Sequence, residues 1–361
     1  MPLVPKHIET LVPYQPGRSI AEIQQEFGVK KVVKLASNEN PMGPSPKAVQ
    51  AMIASLREIH RYPNPACYDL RRALAERFDV TVDNVITGHG SEGIMSVILR
   101  TFMLDDEEAL TSEGTFIGFR VLAHSRGIQL KTVPLKDYRF DLAAIADAIT
   151  EKTKIIYLAN PNNPTGTIFT VKEFLQFIAK VPSHVLIIID EAYFEFAQYD
   201  PIYPDSMKYR LDNVITLRTF SKAYGLAGIR IGYGFAHDHL ITNLMKVKLP
   251  FEPSIPAQAA GLAALEDNEF MEAYVKLSRQ GLEFFYDLFS RLGIQYLKSH
   301  ANFVTILLDS EQQVEKLNQQ LLCHGIIVRP LKAFGIPNGI RITTGLESEN
   351  RLFAKVLKRI L

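Results

Sequence analysis

Five apolar residues, Val185 to Ile189, run without a polar interruption and stop at Asp190 and Glu191. A strand buried on both faces reads this way, because a sheet covered by helices on both sides has no solvent face to mark with polar residues. The run is too short to cross a bilayer, and no membrane partner is expected. Comparable runs stand at Ala109–Thr111, Leu130–Val133, Ile155–Leu158 and Val214–Leu217. The stretch "DNVI" before Thr87 reads as a further short strand. Helical patterns at Ser45–Ile59, Tyr68–Phe78, Ser91–Phe102, Leu142–Ile149 and Val171–Lys180 precede or separate these runs. Alternation of this kind implies an α/β fold with a largely parallel central sheet.

After "LPFEPSIP" the pattern changes. A long helical stretch covers Ala257–Leu292, short strands follow at Phe303–Leu307, Ile326–Val328 and Ile340–Thr343, and a last helix begins at Glu347. This divides the chain into a large unit over 36–252 and a smaller α+β unit over 253–361. The Pro- and Gly-bearing start, 1–35, reads as an extended arm packing with the small unit. A length of 361 residues with 47% hydrophobic residues suits two packed units. The formal net charge of +1 gives no basic surplus for nucleic acid. The first residues contain no apolar signal-peptide core, and the only cysteines, Cys67 and Cys323, form no C-x-x-C pair. A cytoplasmic protein is expected.

Function should lie at the carboxyl ends of the parallel strands. Four motifs fall there. "TGHGSEG" puts Gly88, Gly90 and Gly93 in G-x-G-x-x-G spacing between a strand and a helix, with Glu113 about twenty residues on. That pattern fits a dinucleotide turn, or any phosphate held at a helix N-terminus. "NPNNPTG" makes a rigid turn rich in amide groups. Asp190 ends the buried run. It could be the metal-binding acid of a P-loop ATPase, but no G-x-x-x-x-G-K-[ST] accompanies it. Lys222 follows "VITL", where partial burial can bring an amine near neutrality, and Arg230 lies eight positions later. His237 and His239 form an H-x-H at an expected helix start, without a third ligand at a familiar spacing, so no metal is expected. Pyridoxal phosphate uses the whole set: a lysine for its aldehyde, an acid for its pyridine nitrogen, and a helix N-terminus for its phosphate. A dehydrogenase would leave Lys222 without a role.

The sequence resembles the fold-type I pyridoxal-phosphate aminotransferases, and within them the histidinol-phosphate aminotransferase branch. The matching stretches are "LVPYQPGR", "LASNENPMGPSP", "RYPNP", "TGHGSEGI", "NPNNPTG", "DEAYFEF", "TFSKAYGLAGIRIGY", "IIVRP" and "IRITTG", in the family's order from residue 11 to residue 345. The resemblance implies that Lys222 is the Schiff-base lysine and acid–base group. Asp190 would pair with the pyridinium nitrogen, and Asn163 and Tyr193 would bond the ring's 3-oxygen. Gly90, Ser91 and Glu92 would hold the phosphate through backbone amides, joined by Ser221 and Arg230. Phe116 would stack on the ring. Tyr62 would reach the cofactor phosphate of a neighbouring subunit, which implies a homodimer with shared active sites. Tyr14, Asn40, Arg329 and Arg341 would bind substrate. Two departures stand out: Phe116 replaces a frequent Tyr, and "TSEGTF" lacks a frequent Pro. The implied reaction is transamination of histidinol phosphate with 2-oxoglutarate, giving imidazole acetol phosphate and glutamate, in histidine biosynthesis. An aromatic amino-acid aminotransferase and a phospho-amino-acid decarboxylase of the same fold are the alternatives. A cofactor-binding regulator without turnover is disfavoured by the intact Lys222, Asp190 and Arg230.

Overall fold

The computed structural model describes residues 3–11 and 17–361. Thirteen strands occur among the described residues: β1 Val33–Lys34, β2 Val85–Gly88, β3 Glu108–Ser112, β4 Gln129–Val133, β5 Thr153–Ala159, β6 Leu186–Asp190, β7 Val214–Thr219, β8 Gly232–Phe235, β9 Gln295–Leu297, β10 Phe303–Leu307, β11 Ile326–Ile327, β12 Arg329–Pro330 and β13 Gly339–Thr343. Seven form one sheet in the order β2-β8-β7-β6-β5-β3-β4. All its neighbours pair parallel except β8, which runs antiparallel to β2 and β7. The chain is thus α/β with a mostly parallel central sheet. As its unbroken apolar run requires, β6 is buried at every position and sits in the interior of the sheet. Its Ile187, Ile188 and Ile189 join Ile155, Ile156, Leu158, Ile215 and Leu217 from the flanking strands in one core.

Helices cover both faces. Gly90–Phe102 buries Ile94, Met95, Ile98 and Leu99, spaced three and four apart along one stripe. A second core joins Val85, Phe220, Tyr233 and Phe235 to Ala48, Leu70, Leu74, Ala257, Ala260 and Ala264. Gly261 permits that close approach, since an added Cβ would stand 3.1 Å from Ile231 and 3.4 Å from Leu70. The four-stranded sheet β12-β13-β10-β9 is antiparallel throughout and builds a third core with the helices Asn268–Leu292, Glu311–Cys323 and Glu347–Ile360.

Several expectations need correction. The helical stretch expected over Ala257–Leu292 is two helices, Ile255–Leu265 and Asn268–Leu292. They break at Glu266 and Asp267, where the buried carboxylate of Asp267 accepts a 2.5 Å hydrogen bond from Ser45. The arm contains the helix Ile20–Phe27, opened by a Ser19–Glu22 capping box and closed by Gly28 in the left-handed region. Its Ile23 packs on Ala36, Leu322 and Ile327. Strand β8 was hidden by its composition, since "GYGF" lacks the β-branched residues that mark a strand. The sequence marks no helix at Ile117–Ser125 or Glu311–Cys323, and of Asp238–Val247 it marks only the start. Among the described residues no helix is long and apolar enough to cross a membrane.

Candidate active site

β2, β5, β6 and β7 deliver their carboxyl ends to one edge of the large sheet, and β8 begins there. After β2, the turn at His89 leads into the helix Gly90–Phe102, whose first amides have no intrahelical acceptor. Gly90 has φ +72°, and a Cβ there would stand 2.6 Å from the Arg230 guanidinium. A Cβ on Gly232 would run into the backbone of Gly90 and Ser91. The two glycines therefore let the turn, β8 and Arg230 close into one cradle. Arg230 donates to the Ser221 hydroxyl at 3.4 Å, and Glu92 lies 3.9 Å from its guanidinium. Amides, a hydroxyl and a guanidinium converging on one point suit a phosphate group.

The two acids ending the buried run have separate tasks. Glu191 is fully buried, accepts two hydrogen bonds from Arg218 at 2.7 and 2.9 Å, and accepts from the Ser206 amide. Asp190 lines the cavity. Its Oδ2 accepts from the Tyr157 hydroxyl at 2.7 Å, and its Oδ1 accepts from the Ala192 amide at 3.2 Å. Burial raises its pKa to about 6, against the lowering effect of the Tyr157 bond. The group remains ionised at neutral pH, with lone pairs left for a cationic N–H. Tyr157 is a functional neighbour that the sequence did not reveal. It sits inside the apolar run "IIYL" of β5, where a tyrosine reads as one more core aromatic, and its ring stacks on Phe119 with centroids 4.3 Å apart.

Lys222 follows β7. Its ammonium lies 3.4 Å from the Ser37 carbonyl and 5.8 Å from the centre of the Tyr193 ring. Burial, reinforced by Arg341 and Arg230 and opposed by Glu39 and Asp190, lowers its pKa to about 8. A nucleophilic amine is thus available near neutral pH. Asn160 and Asn162 are occupied by local bonds to Phe169, Gly114, Thr115 and Thr165. Asn163 instead faces the cavity and accepts from Arg341 through Oδ1. That bond occupies Oδ1 and leaves the NH₂ as the donor the amide can offer a ligand.

A cavity of about 150 Å³ is lined by Ser91, Phe116, Asn163, Asp190, Tyr193, Ser221, Lys222 and Arg230. It shares Glu92, Phe116, Asn163, Tyr193 and Lys222 with a second cavity of about 400 Å³ that Arg329 and Arg341 also line. The two arginines are directly paired across β12 and β13 and so share a face. Two cavities joined at one amine, with an anion cradle and an acid in one and paired guanidiniums in the other, form a site for two anionic partners.

Residues 30–357 match the family of class I and II aminotransferases. The chain belongs to the class I and II aminotransferases. It is 41% identical over 365 residues to the histidinol-phosphate aminotransferase of Anaeromyxobacter sp., covering 100% of both chains. It is 40% identical to that of Caldicellulosiruptor saccharolyticus, covering 98% of this chain and 99% of the relative. The crystal structure of histidinol-phosphate aminotransferase from Sinorhizobium meliloti, in complex with pyridoxal-5′-phosphate, superposes with a TM-score of 0.89 at 28% identity, covering 100% of this chain and 99% of that one.

The remaining expected site residues of this aminotransferase are dispersed. Phe116 lines both cavities, and Gly118 leaves room for its ring. Asn40 donates to the Ala223 carbonyl at 3.1 Å, beside Lys222, and lines neither cavity. Tyr62 is 78% exposed, stacks on Phe251 at 4.1 Å, and lines neither cavity of its own chain. Tyr14 lies outside the described residues. Glu113, the acid expected of a dinucleotide turn, lines neither cavity. His237 and His239 stand exposed at a helix start, and Asp238 between them brings a third potential metal-ligand atom within 4.8 Å.

Proposed function

We propose that this aminotransferase converts histidinol phosphate and 2-oxoglutarate to imidazole acetol phosphate and glutamate, using pyridoxal phosphate, in histidine biosynthesis. The convergence of Lys222, Asp190 and Arg230 on one cavity carries the reading, and the full-length relatives at 40–41% identity support the substrate. When bound, pyridoxal phosphate supplies an electron-withdrawing ring for the electrons released at the substrate carbon. The chain's own groups do the rest. Amides of Gly90, Ser91 and Glu92, with Ser221 and Arg230, bind the phosphate. Asp190, favoured in its ionised form by Tyr157 and the Ala192 amide, would pair with a protonated ring nitrogen. Asn163 and Tyr193 would donate to the ring's 3-oxygen, and Phe116 would pack on the ring face. The Lys222 amine, whose pKa is lowered to about 8, would hold the cofactor and serve as the group that accepts and gives back a proton at the substrate carbon. Arg329 and Arg341 hold the substrate anion, whether the phosphate of one partner or a carboxylate of the other. Tyr14 and Asn40 complete the substrate-binding set.

Tyr62 serves the neighbouring subunit's phosphate site, so the active unit is a homodimer. Exposed apolar side chains, with Phe251 stacked on Tyr62 and Ile53, Leu56 and Ile59 shortly before it in sequence, support this. The working units are the arm 1–35, the large unit 36–252 and the small unit 253–361. The test is reduction of the cofactor-loaded protein with borohydride followed by peptide mapping. The pyridoxyl group is expected on Lys222; attachment at another lysine overturns the assignment.

A further inference from the structure

Asn38 belongs to none of the roles above, yet it is 1% exposed and lines the second cavity beside Tyr193. Its Nδ2 lies 2.7 Å from the Tyr193 hydroxyl, and its Oδ1 accepts from the Thr343 hydroxyl at 2.9 Å. Its backbone amide donates to the same Thr343 oxygen at 3.0 Å, and its carbonyl accepts from Asn302 at 3.1 Å. Its φ of +55° lies in the left-handed region, which Asn tolerates better than most residues. The bonds fix which end of the amide faces Tyr193. Thr343 already accepts from the Asn38 backbone and has one proton to give. Reversing the Asn38 amide would take that acceptor away from the buried Thr343 hydroxyl, and would draw the Tyr193 proton away from the cavity.

We infer that Asn38 is a positioning residue: by donating to Tyr193 it leaves the phenolic proton free to point into the cofactor cavity. The inference rests on the reading above that Tyr193 bonds the ring's 3-oxygen. Thr343 is two residues from Arg341 on β13, so one strand supports both expected ring-oxygen donors, Asn163 through Arg341 and Tyr193 through Thr343 and Asn38.

The test is a pH titration of the visible absorbance of the cofactor-loaded protein, in which the midpoint reports how well the ring oxygen's negative charge is stabilised. Tyr193→Phe is expected to raise the midpoint by roughly one pH unit, the loss of one hydrogen bond to a charged oxygen. Asn38→Ala should raise it by a similar amount in the native background and by nothing further in Tyr193→Phe. Thr343→Val, which leaves Asn38 itself in place, should shift it in the same direction by less and keeps the test alive where Asn38→Ala fails to fold. A native midpoint in both Asn38→Ala and Thr343→Val, with Tyr193→Phe shifted, overturns the inference alone. So does a full Asn38→Ala shift on top of Tyr193→Phe. An unshifted Tyr193→Phe removes the reading of Tyr193 and the inference with it.

Discussion

Lys222 carries a stability cost that its chemistry explains. An unfolded lysine ionises near 10.5 and the folded one near 8, chiefly because burial disfavours the ammonium. The folded chain therefore binds this proton less tightly than the unfolded chain does. Below pH 8 both forms are protonated and the penalty is fully present; it is relieved as pH rises from 8 and is gone by 10.5. Lys222→Met should thus raise the melting temperature of cofactor-free protein at pH 7 by a few degrees (~3 °C), with the gain shrinking towards pH 10.5. Thermal melts across that range check it; a gain independent of pH would assign the effect to packing. Residues such as Lys222, Asp190 and Arg230 were legible in sequence because the chemistry needs their residue types at strand ends. Tyr157 and Asn38 were not, since each acts through a neighbour that only the folded chain brings within 2.7 Å.

Among the elements, the decisive one is the turn into the helix Gly90–Phe102. Its G-x-G-x-x-G spacing fits either a dinucleotide or a monophosphate, and the regular expression cannot separate them. Arg230, two residues before β8, can, because it closes over Gly90 where a nucleotide would need open space. Gly90→Ala places a methyl against Arg230 at a φ of +72°. Strain of about 1–3 kcal/mol at such a position should weaken pyridoxal phosphate binding roughly tenfold or more. Titration of the apoprotein by visible absorbance measures this, and unchanged affinity would remove the turn from the phosphate site. Periodicity found β-branched strands such as β5, β6 and β7 and amphipathic helices such as Gly90–Phe102. It missed β8, whose Gly232 admits the turn, and the break at Asp267, whose partner Ser45 lies 222 residues away.

At the scale of the whole molecule, the site exists because two sheets meet over one amine. The seven-stranded sheet brings Lys222, Asp190 and the anion cradle, and the four-stranded sheet brings Arg329 and Arg341. The α/β class was readable from alternation, but the meeting of the sheets was not, because it depends on contacts such as Arg341 with Asn163, 178 residues apart. The exposed Ile53, Ile59 and Tyr62 belong to this scale too. Sedimentation should give a dimer, and Ile59→Asp should shift it towards monomer with loss of turnover; a fully active monomer would contradict a shared site. The paired guanidiniums of Arg329 and Arg341 are expected to favour a phosphate-bearing amine over an amino acid. The most direct test is the half-reaction of the cofactor-loaded protein with histidinol phosphate and with phenylalanine, compared by kcat/KM. Histidinol phosphate is expected to react at least about tenfold faster, because its phosphate offers the guanidiniums more charge and more acceptor oxygens than the carboxylate of phenylalanine; faster conversion of phenylalanine would contradict this selectivity.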